Sequence, residues 1–254
     1  MSRLSALLPM RWGRRPVRLL ALLAFHDERR YLPGWFANVP PEVDGVVALD
    51  DGSGDGSAEL VAAQPAVLEL LRRERREPHV WHDGENHRLL AEAARRLGAD
   101  WLLGVDADER LECGFGARAR ALVTDRGAAR AYYVHVRELW DAPDRMRVDG
   151  VWGGKRSARL FAARRRARYD DRALHGHWAP LDARDGDDFR QADLYLYHLR
   201  MIRPEDRQAR RDKYRRLDPE RRFQSIGYDY LTDTAGLALA PLPPGRGYQP
   251  LEAP

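Results

Sequence analysis

Three short apolar runs, each ending in acidic residues, constrain this chain more than any other feature of its 254 residues. Residues 17–25 read VRLLALLAF, residues 43–50 read VDGVVALD and residues 101–105 read WLLGV. An apolar run without polar alternation suits a strand buried on both faces, as in a parallel sheet covered by helices. Between the runs the spacing turns helical. Leu32, Trp35 and Phe36 follow the first; Leu60, Val61, Val67, Leu68 and Leu71 follow the second, with Asp55 or Ser57 as N-cap. A third short strand is expected at residues 78–81. A helix from about Asn86 then carries Leu89, Leu90, Ala93, Ala94 and Leu97 and stops at Gly98. This alternation predicts an α/β fold, Rossmann-like, with a mostly parallel central sheet and helices on both faces. Ligands of such sheets bind at the carboxyl ends of the strands. Here those ends are Phe25-His26-Asp27-Glu28, Asp50-Asp51 and Asp106-Ala107-Asp108.

Beyond about residue 127 the alternation gives way to a mixed half. Strands are expected at residues 131–140, 145–152, 157–162 and 194–199, followed by an Arg-rich helix over 204–217 whose acids open and whose bases close it, as the helix dipole prefers. The divisions expected are an arm at 1–16, a first half at 17–126, a second half at 127–239 and an irregular, proline-rich tail at 240–254. No internal repeat is visible.

With 44% hydrophobic and 32% charged residues the chain reads as globular rather than disordered. A formal charge of +4 is too small to imply a nucleic-acid partner, and none is expected. The single cysteine, Cys113, excludes an internal disulfide and a multi-cysteine zinc site. The apolar run at 19–25 is too short for a membrane span or a good signal peptide, so a cytoplasmic protein is expected.

Asp106 and Asp108 alternate just after a buried strand, so both carboxylates can face one point. Hard oxygen ligands of this kind suit Mg²⁺ or Mn²⁺ shared with substrate phosphates, although a solvated turn also explains such a triplet. Asp50 and Asp51 run into the turn Gly52-Ser53-Gly54-Asp55-Gly56-Ser57, where paired acids can accept from a nucleotide and glycines admit close backbone approach. The plainer reading is a turn with a helix cap. His198, at the end of the strand after Leu194 and Leu196, is either a third metal ligand or a half-buried strand histidine. Lys155, Arg156 and Arg159 surround a strand and meet a diphosphate or an anionic acceptor, or only line a solvated edge. Arg203, Arg207, Arg210, Arg211 and Arg215 form a stripe on the last helix, suited to peripheral contact with an acidic membrane face or a lipid-linked acceptor, or to solvation with Asp206 to Arg210 pairing.

The string VALDDGSGDGS at residues 47–57, followed some fifty residues later by WLLGVDADER at residues 101–110, resembles the family 2 glycosyltransferases. The resemblance covers residues 17–126, and extends more loosely to KRSARLF at 155–161 and to His198. It implies a GT-A fold and metal-dependent transfer of a sugar from a nucleoside diphosphate sugar (UDP-, GDP- or dTDP-linked) to an acceptor hydroxyl on a saccharide or lipid carrier, with inversion. It places Phe25, Asp27, Glu28, Asp50, Asp51, Arg88, Asp106, Lys155 and Arg159 at the donor, with Asp106, Asp108 and His198 at the metal. Such enzymes commonly end the first strand in Asn-Glu, where this chain has Asp27-Glu28. Inversion needs a general base. The Glu-Asp motif that supplies it in many relatives has no clear match, which leaves His175, Asp170 and Asp171 as candidates beside Asp108. A sugar-phosphate nucleotidyltransferase is the alternative enzyme, but residues 25–28 offer no Gly-rich basic loop. A basic protein binding nucleic acid or anionic membrane is the non-enzymatic alternative.

Overall fold

The computed structural model describes residues 15–77, 79, 82–125, 129–183 and 188–251. The expected arm at 1–16 lies almost wholly outside them, as does most of the strand expected at 78–81.

The first apolar run forms β1 (Leu19–Phe25), followed by α1 (Leu32–Asn38), β2 (Val46–Asp50), α2 (Ser57–Ala62), β3 (Val67–Arg72), α3 (Asp83–Arg96) and β4 (Trp101–Gly104). β1 pairs in parallel with β2 on one side and β4 on the other, and β2 pairs in parallel with β3. Its alternate residues enter two separate cores. Leu19, Ala21 and Leu23 pack with Trp35 of α1, whereas Leu20 and Leu22 pack with Leu90, Ala93 and Ala94 of α3. That two-sided burial is why β1 carries no polar residue.

The second half supplies β5 (Glu109–Leu111), α4 (Phe115–Thr124), β6 (Ala131–Glu138), β7 (Arg145–Arg147), α5 (Gly150–Gly153), β8 (Arg156–Ala162), β9 (Phe189–His198), α6 (Pro204–Leu217) and β10 (Leu239–Pro241). The main sheet runs β3-β2-β1-β4-β8-β6-β9-β5. It is parallel through β4; β8 then pairs antiparallel with both β4 and β6, β6 pairs parallel with β9, and β9 antiparallel with β5. Three strands therefore separate β4 from β5, although only residues 105–108 connect them. Five residue steps reach at most about 18 Å, and four inter-strand spacings come to about 19 Å. The sheet has to curl to let that segment turn, and the segment is Val105-Asp106-Ala107-Asp108.

Several expectations need correction. The apolar spacing at 60–71 is not one helix: α2 ends at Ala62 and Val67–Arg72 is a strand. Pro65 lies between them; it lacks an N–H and pushes Gln64 out of the helical region. The helix N-cap is Gly56, in the left-handed conformation, rather than Asp55 or Ser57. The strand expected at 145–152 stops at Arg147, and Gly150–Gly153 is a helical turn. The tail is not wholly irregular, because Leu239–Pro241 pairs with β7 and Tyr248 is buried with its hydroxyl donating to the Pro143 carbonyl. β5 and α4 were not anticipated. No helix among the described residues is long and apolar enough to cross a membrane.

Candidate functional site

The register aligns Phe25 with Asp50 and Leu22 with Gly104, so the three acidic strand ends meet at one edge of the sheet. A cavity of about 690 Å³ opens there.

At one end the glycine-serine turn after β2 grips the loop after β1. The Ser53 and Ser57 hydroxyls accept the N–H groups of Asp27 and Glu28, both at 3.0 Å, and Asp55 accepts that of Arg29. Asp50 folds back on the turn, accepting the Ser53 N–H at 2.8 Å, and Asp27 accepts that of Gly54 at 2.7 Å. These two acids build the loop, and neither lines the cavity. Asp51 does. Its buried carboxylate lies 3.2 Å from His79 Nε2 and accepts Asn86 Nδ2 at 3.1 Å, while Arg73 stands at 3.5 Å. His26 stacks on His79 with ring centroids 3.7 Å apart, and burial followed by that neighbour lowers the His79 pKa.

At the centre, Asp106 accepts Arg159 Nη2 at 3.0 Å and Trp178 Nε1 at 3.2 Å. Gly104 makes the second contact possible: a Cβ there would stand 2.3 Å from the Trp178 ring. Arg159 is held in turn by buried Glu109 at 2.7 Å. Asp108 points elsewhere. Its Oδ2 lies 3.1 Å from His198 Nε2 and also accepts Arg200 Nε, whose Nη2 reaches Glu28 at 2.5 Å. Burial works against the Asp108 carboxylate, but Arg200 and His198 hold it well below its ordinary value. Behind His198, Glu138 takes Nδ1 and also pairs with Lys155. Burial opposes a charged His198 imidazole, yet the two carboxylates raise it to about 9.

The third wall comes from the segment between β8 and β9. His175, Gly176 and Trp178 line the cavity, and α6 contributes Arg210, Lys213 and Tyr214. Two glycines dock this segment on α3: a Cβ on Gly84 would stand 2.1 Å from the Asp170 carbonyl oxygen, and one on Gly176 would stand 2.7 Å from Asp83. Burial pushes the Asp83 carboxyl up to about 7; burial and then Arg200 bring Lys213 down to about 8.

The structure therefore brings together Phe25, Glu28, Asp51, Asp106, Asp108, Lys155, Arg159, His175 and His198 from the residues expected at the site. It leaves out Arg88, which lies on the outer face of α3 and pairs with Glu92 one turn later. Of the base candidates, Asp170 is taken by His177 Nδ1 at 2.6 Å and Asp171 is exposed. The Arg stripe is broken up: Arg207 is buried on Trp140, Arg210 faces the cavity, Arg211 and Arg215 pair with Asp212 and Asp229, and Asp206 binds Arg30 rather than Arg210. Asn86, Glu138, Arg200 and Lys213 were not expected at the site.

No protein-family model matches the chain. Two curated proteins are similar to it, an uncharacterized protein of Mycobacterium bovis and one of Mycobacterium tuberculosis. Each is 28% identical over 220 residues, covering 84% of this chain and 54% of the relative. The chain thus spans about half the length of the curated relatives it matches. Among solved structures, one described as a mycobacterial protein aligns at TM-score 0.48 and 16% identity, over 79% of this chain and 74% of that chain. Glucosyl-3-phosphoglycerate synthase from Mycobacterium tuberculosis, solved with Mn²⁺, uridine diphosphate and phosphoglyceric acid, aligns at TM-score 0.46 and 16% identity, over 79% and 78%.

Proposed function

We propose that this chain is a GT-A-type glycosyltransferase that moves a sugar from a nucleoside diphosphate sugar to an acceptor hydroxyl. The observation that carries the reading is the convergence of Asp51 with the Asp108 and His198 pair on one cavity. Acids at two strand ends of one sheet match what the motif resemblance requires.

The donor set fits a divalent cation. A carboxylate behind Nδ1 is the arrangement that orients a metal-ligating histidine, and Asp108 beside Nε2 would share the ion in place of that contact. Among the described residues no group of three or more His, Cys, Asp or Glu side chains is disposed to hold a metal ion. Two protein ligands plus substrate oxygens suit Mg²⁺ or Mn²⁺, which bind largely through substrate phosphates. Asp108 and His198 would hold the ion. Asp106, held by Arg159 and Trp178, would face the donor sugar or ribose beside the ion. When bound, the cation supplies Lewis-acid neutralisation of the departing diphosphate.

The remaining roles fall to side chains of this chain. Asp51, with Asn86 and the stacked His26 and His79, forms a polar end for the base and ribose. Arg200, Arg210 and Lys213 present positive charge beside the leaving group and neutralise it further. His175 stands on the acceptor side as the base, and inversion is the outcome that direct displacement would give.

The test is binding and turnover of a panel of UDP-, GDP- and dTDP-sugars with Mn²⁺, by calorimetry and by release of nucleoside diphosphate. One nucleotide series is expected to bind in a metal-dependent way that Asp108→Ala abolishes. Failure of all three to bind, with Asp108→Ala indistinguishable from wild type, overturns the proposal.

A further inference from the structure

His175 sits in the cavity wall with a backbone φ of 57°, a left-handed conformation that a non-glycine residue keeps only when its surroundings hold it. Asp83 supplies that hold by accepting the backbone N–H groups of His175 and Gly176. The imidazole packs near the rings of Tyr214 and Tyr228, at centroid distances of 5.0 and 6.0 Å. Its Nε2 lies 3.2 Å from the Tyr228 hydroxyl.

That hydroxyl has one proton, and the proton is committed. Tyr228 donates to Asp218 Oδ2 at 2.7 Å. Asp218 also accepts the backbone N–H groups of Arg222, Phe223 and Gln224, which keeps it an ionised acceptor. The Tyr228 oxygen can therefore only accept from His175, so the imidazole hydrogen sits on Nε2. Nδ1 is left with its lone pair, and no described protein group donates to it. Which ring nitrogen carries the hydrogen is set by the bond the other groups impose.

We infer that Asp218 and Tyr228 are positioning residues that fix His175 as the Nε2–H tautomer, so that Nδ1 is free to take the proton of an acceptor hydroxyl. The inference rests on the glycosyl-transfer reading. In the step, the hydroxyl O–H bond breaks and its proton passes to Nδ1. The oxygen's electron pair forms the bond to the anomeric carbon, and the bond from that carbon to the diphosphate oxygen breaks with its pair leaving on the diphosphate. The imidazolium so formed keeps its Nε2–H on Tyr228, with the Asp218 carboxylate behind. Burial, followed by the charge of Arg210, brings the His175 pKa down to about 4, so the ring is neutral before the step.

The experiment is ¹⁵N-detected NMR of the histidine rings at neutral pH on the full chain, wild type and Tyr228→Phe, paired with steady-state kinetics on the panel sugar that turns over. The wild-type His175 ring is expected as the Nε2–H tautomer. Tyr228→Phe, which keeps the ring, is expected to shift it toward Nδ1–H and to lower kcat by roughly 10- to 100-fold, with the KM for the nucleotide sugar unchanged. A wild-type ring found as Nδ1–H or doubly protonated overturns the inference without needing the variant. So does a Tyr228→Phe protein with unaltered tautomer and kcat. A merely structural tyrosine would change melting temperature and leave the tautomer alone. Lack of transfer from every panel sugar overturns the proposed function and the base role with it, whereas a wrong tautomer in an active enzyme overturns this inference alone.

Discussion

Nε2 of His198 lies 3.1 Å from Oδ2 of Asp108, across a sequence separation of 90 residues. The pairing of β5 with β9 sets this contact, because Glu109 is opposite His198 in the ladder. Glu138, on β6, reaches the other ring nitrogen because β6 and β9 run parallel with Glu138 in register with His198. Two strands and the segment that leads into a third thus converge on one imidazole.

Glu138→Gln tests whether that convergence serves a metal. Replacing the carboxylate behind a ligating histidine typically weakens metal affinity by about 10- to 100-fold. Mn²⁺ titration followed by electron paramagnetic resonance is expected to show a loss of that size, with the fold retained by circular dichroism.

Asp50 and Asp51 stand side by side in the sequence but do different work. Asp51→Ala is expected to weaken nucleotide binding by roughly 1–3 kcal/mol, because it removes the carboxylate that lines the cavity and, with it, the acceptor of buried Asn86 Nδ2. Asp50→Ala is expected to lower the melting temperature through the freed Ser53 N–H, with nucleotide affinity in the folded protein close to wild type. Calorimetric titration beside thermal melts separates the two.

Gly104→Ala places a methyl group where the Trp178 ring lies. Overpacking of this kind costs about 1–3 kcal/mol. Trp178 is expected to leave Asp106, altering tryptophan fluorescence and lowering turnover; an unchanged spectrum with full activity would show that this contact is dispensable.

Asp83 carries a pH dependence of stability. Its carboxyl titrates near 7 in the folded protein against an ordinary value of 3.8, so between those values the folded state holds the proton more tightly than the unfolded state. Stability contributed by this group is therefore full below about 4 and is lost as pH rises toward 7, by at most about 1.4 kcal/mol per pH unit. Asp83→Asn is expected to flatten that slope in urea melts taken across this range.

The sheet edge was legible in the chain because β1, β2 and β4 are buried on both faces and so are written in apolar residues up to the acids at their carboxyl ends. β3 was not, since Val67, Leu68 and Leu71 continue the helical spacing of Leu60 and Val61, and only Pro65 marks the break. Asp51, Asp106 and Asp108 were legible from local motifs. Their partners were not: Arg200 reaches Glu28 across 172 residues and Trp178 reaches Asp106 across 72, distances over which no spacing rule operates. Arg88 was misplaced because the rotation of α3 about its axis depends on packing, which turns Asn86 and His87 inward and Arg88 toward Glu92. Arg88→Ala is accordingly expected to change stability by no more than about 0.5 kcal/mol and to leave turnover as in wild type.

The most direct measurement is Mn²⁺ binding by electron paramagnetic resonance, with and without the nucleoside diphosphate that the panel selects, in wild type, Asp108→Ala and His198→Ala. Nucleotide-enhanced Mn²⁺ binding is expected in the wild type and its loss in both variants. Equal binding in all three proteins, or no enhancement by any nucleotide, would contradict a metal-assisted donor site at Asp108 and His198.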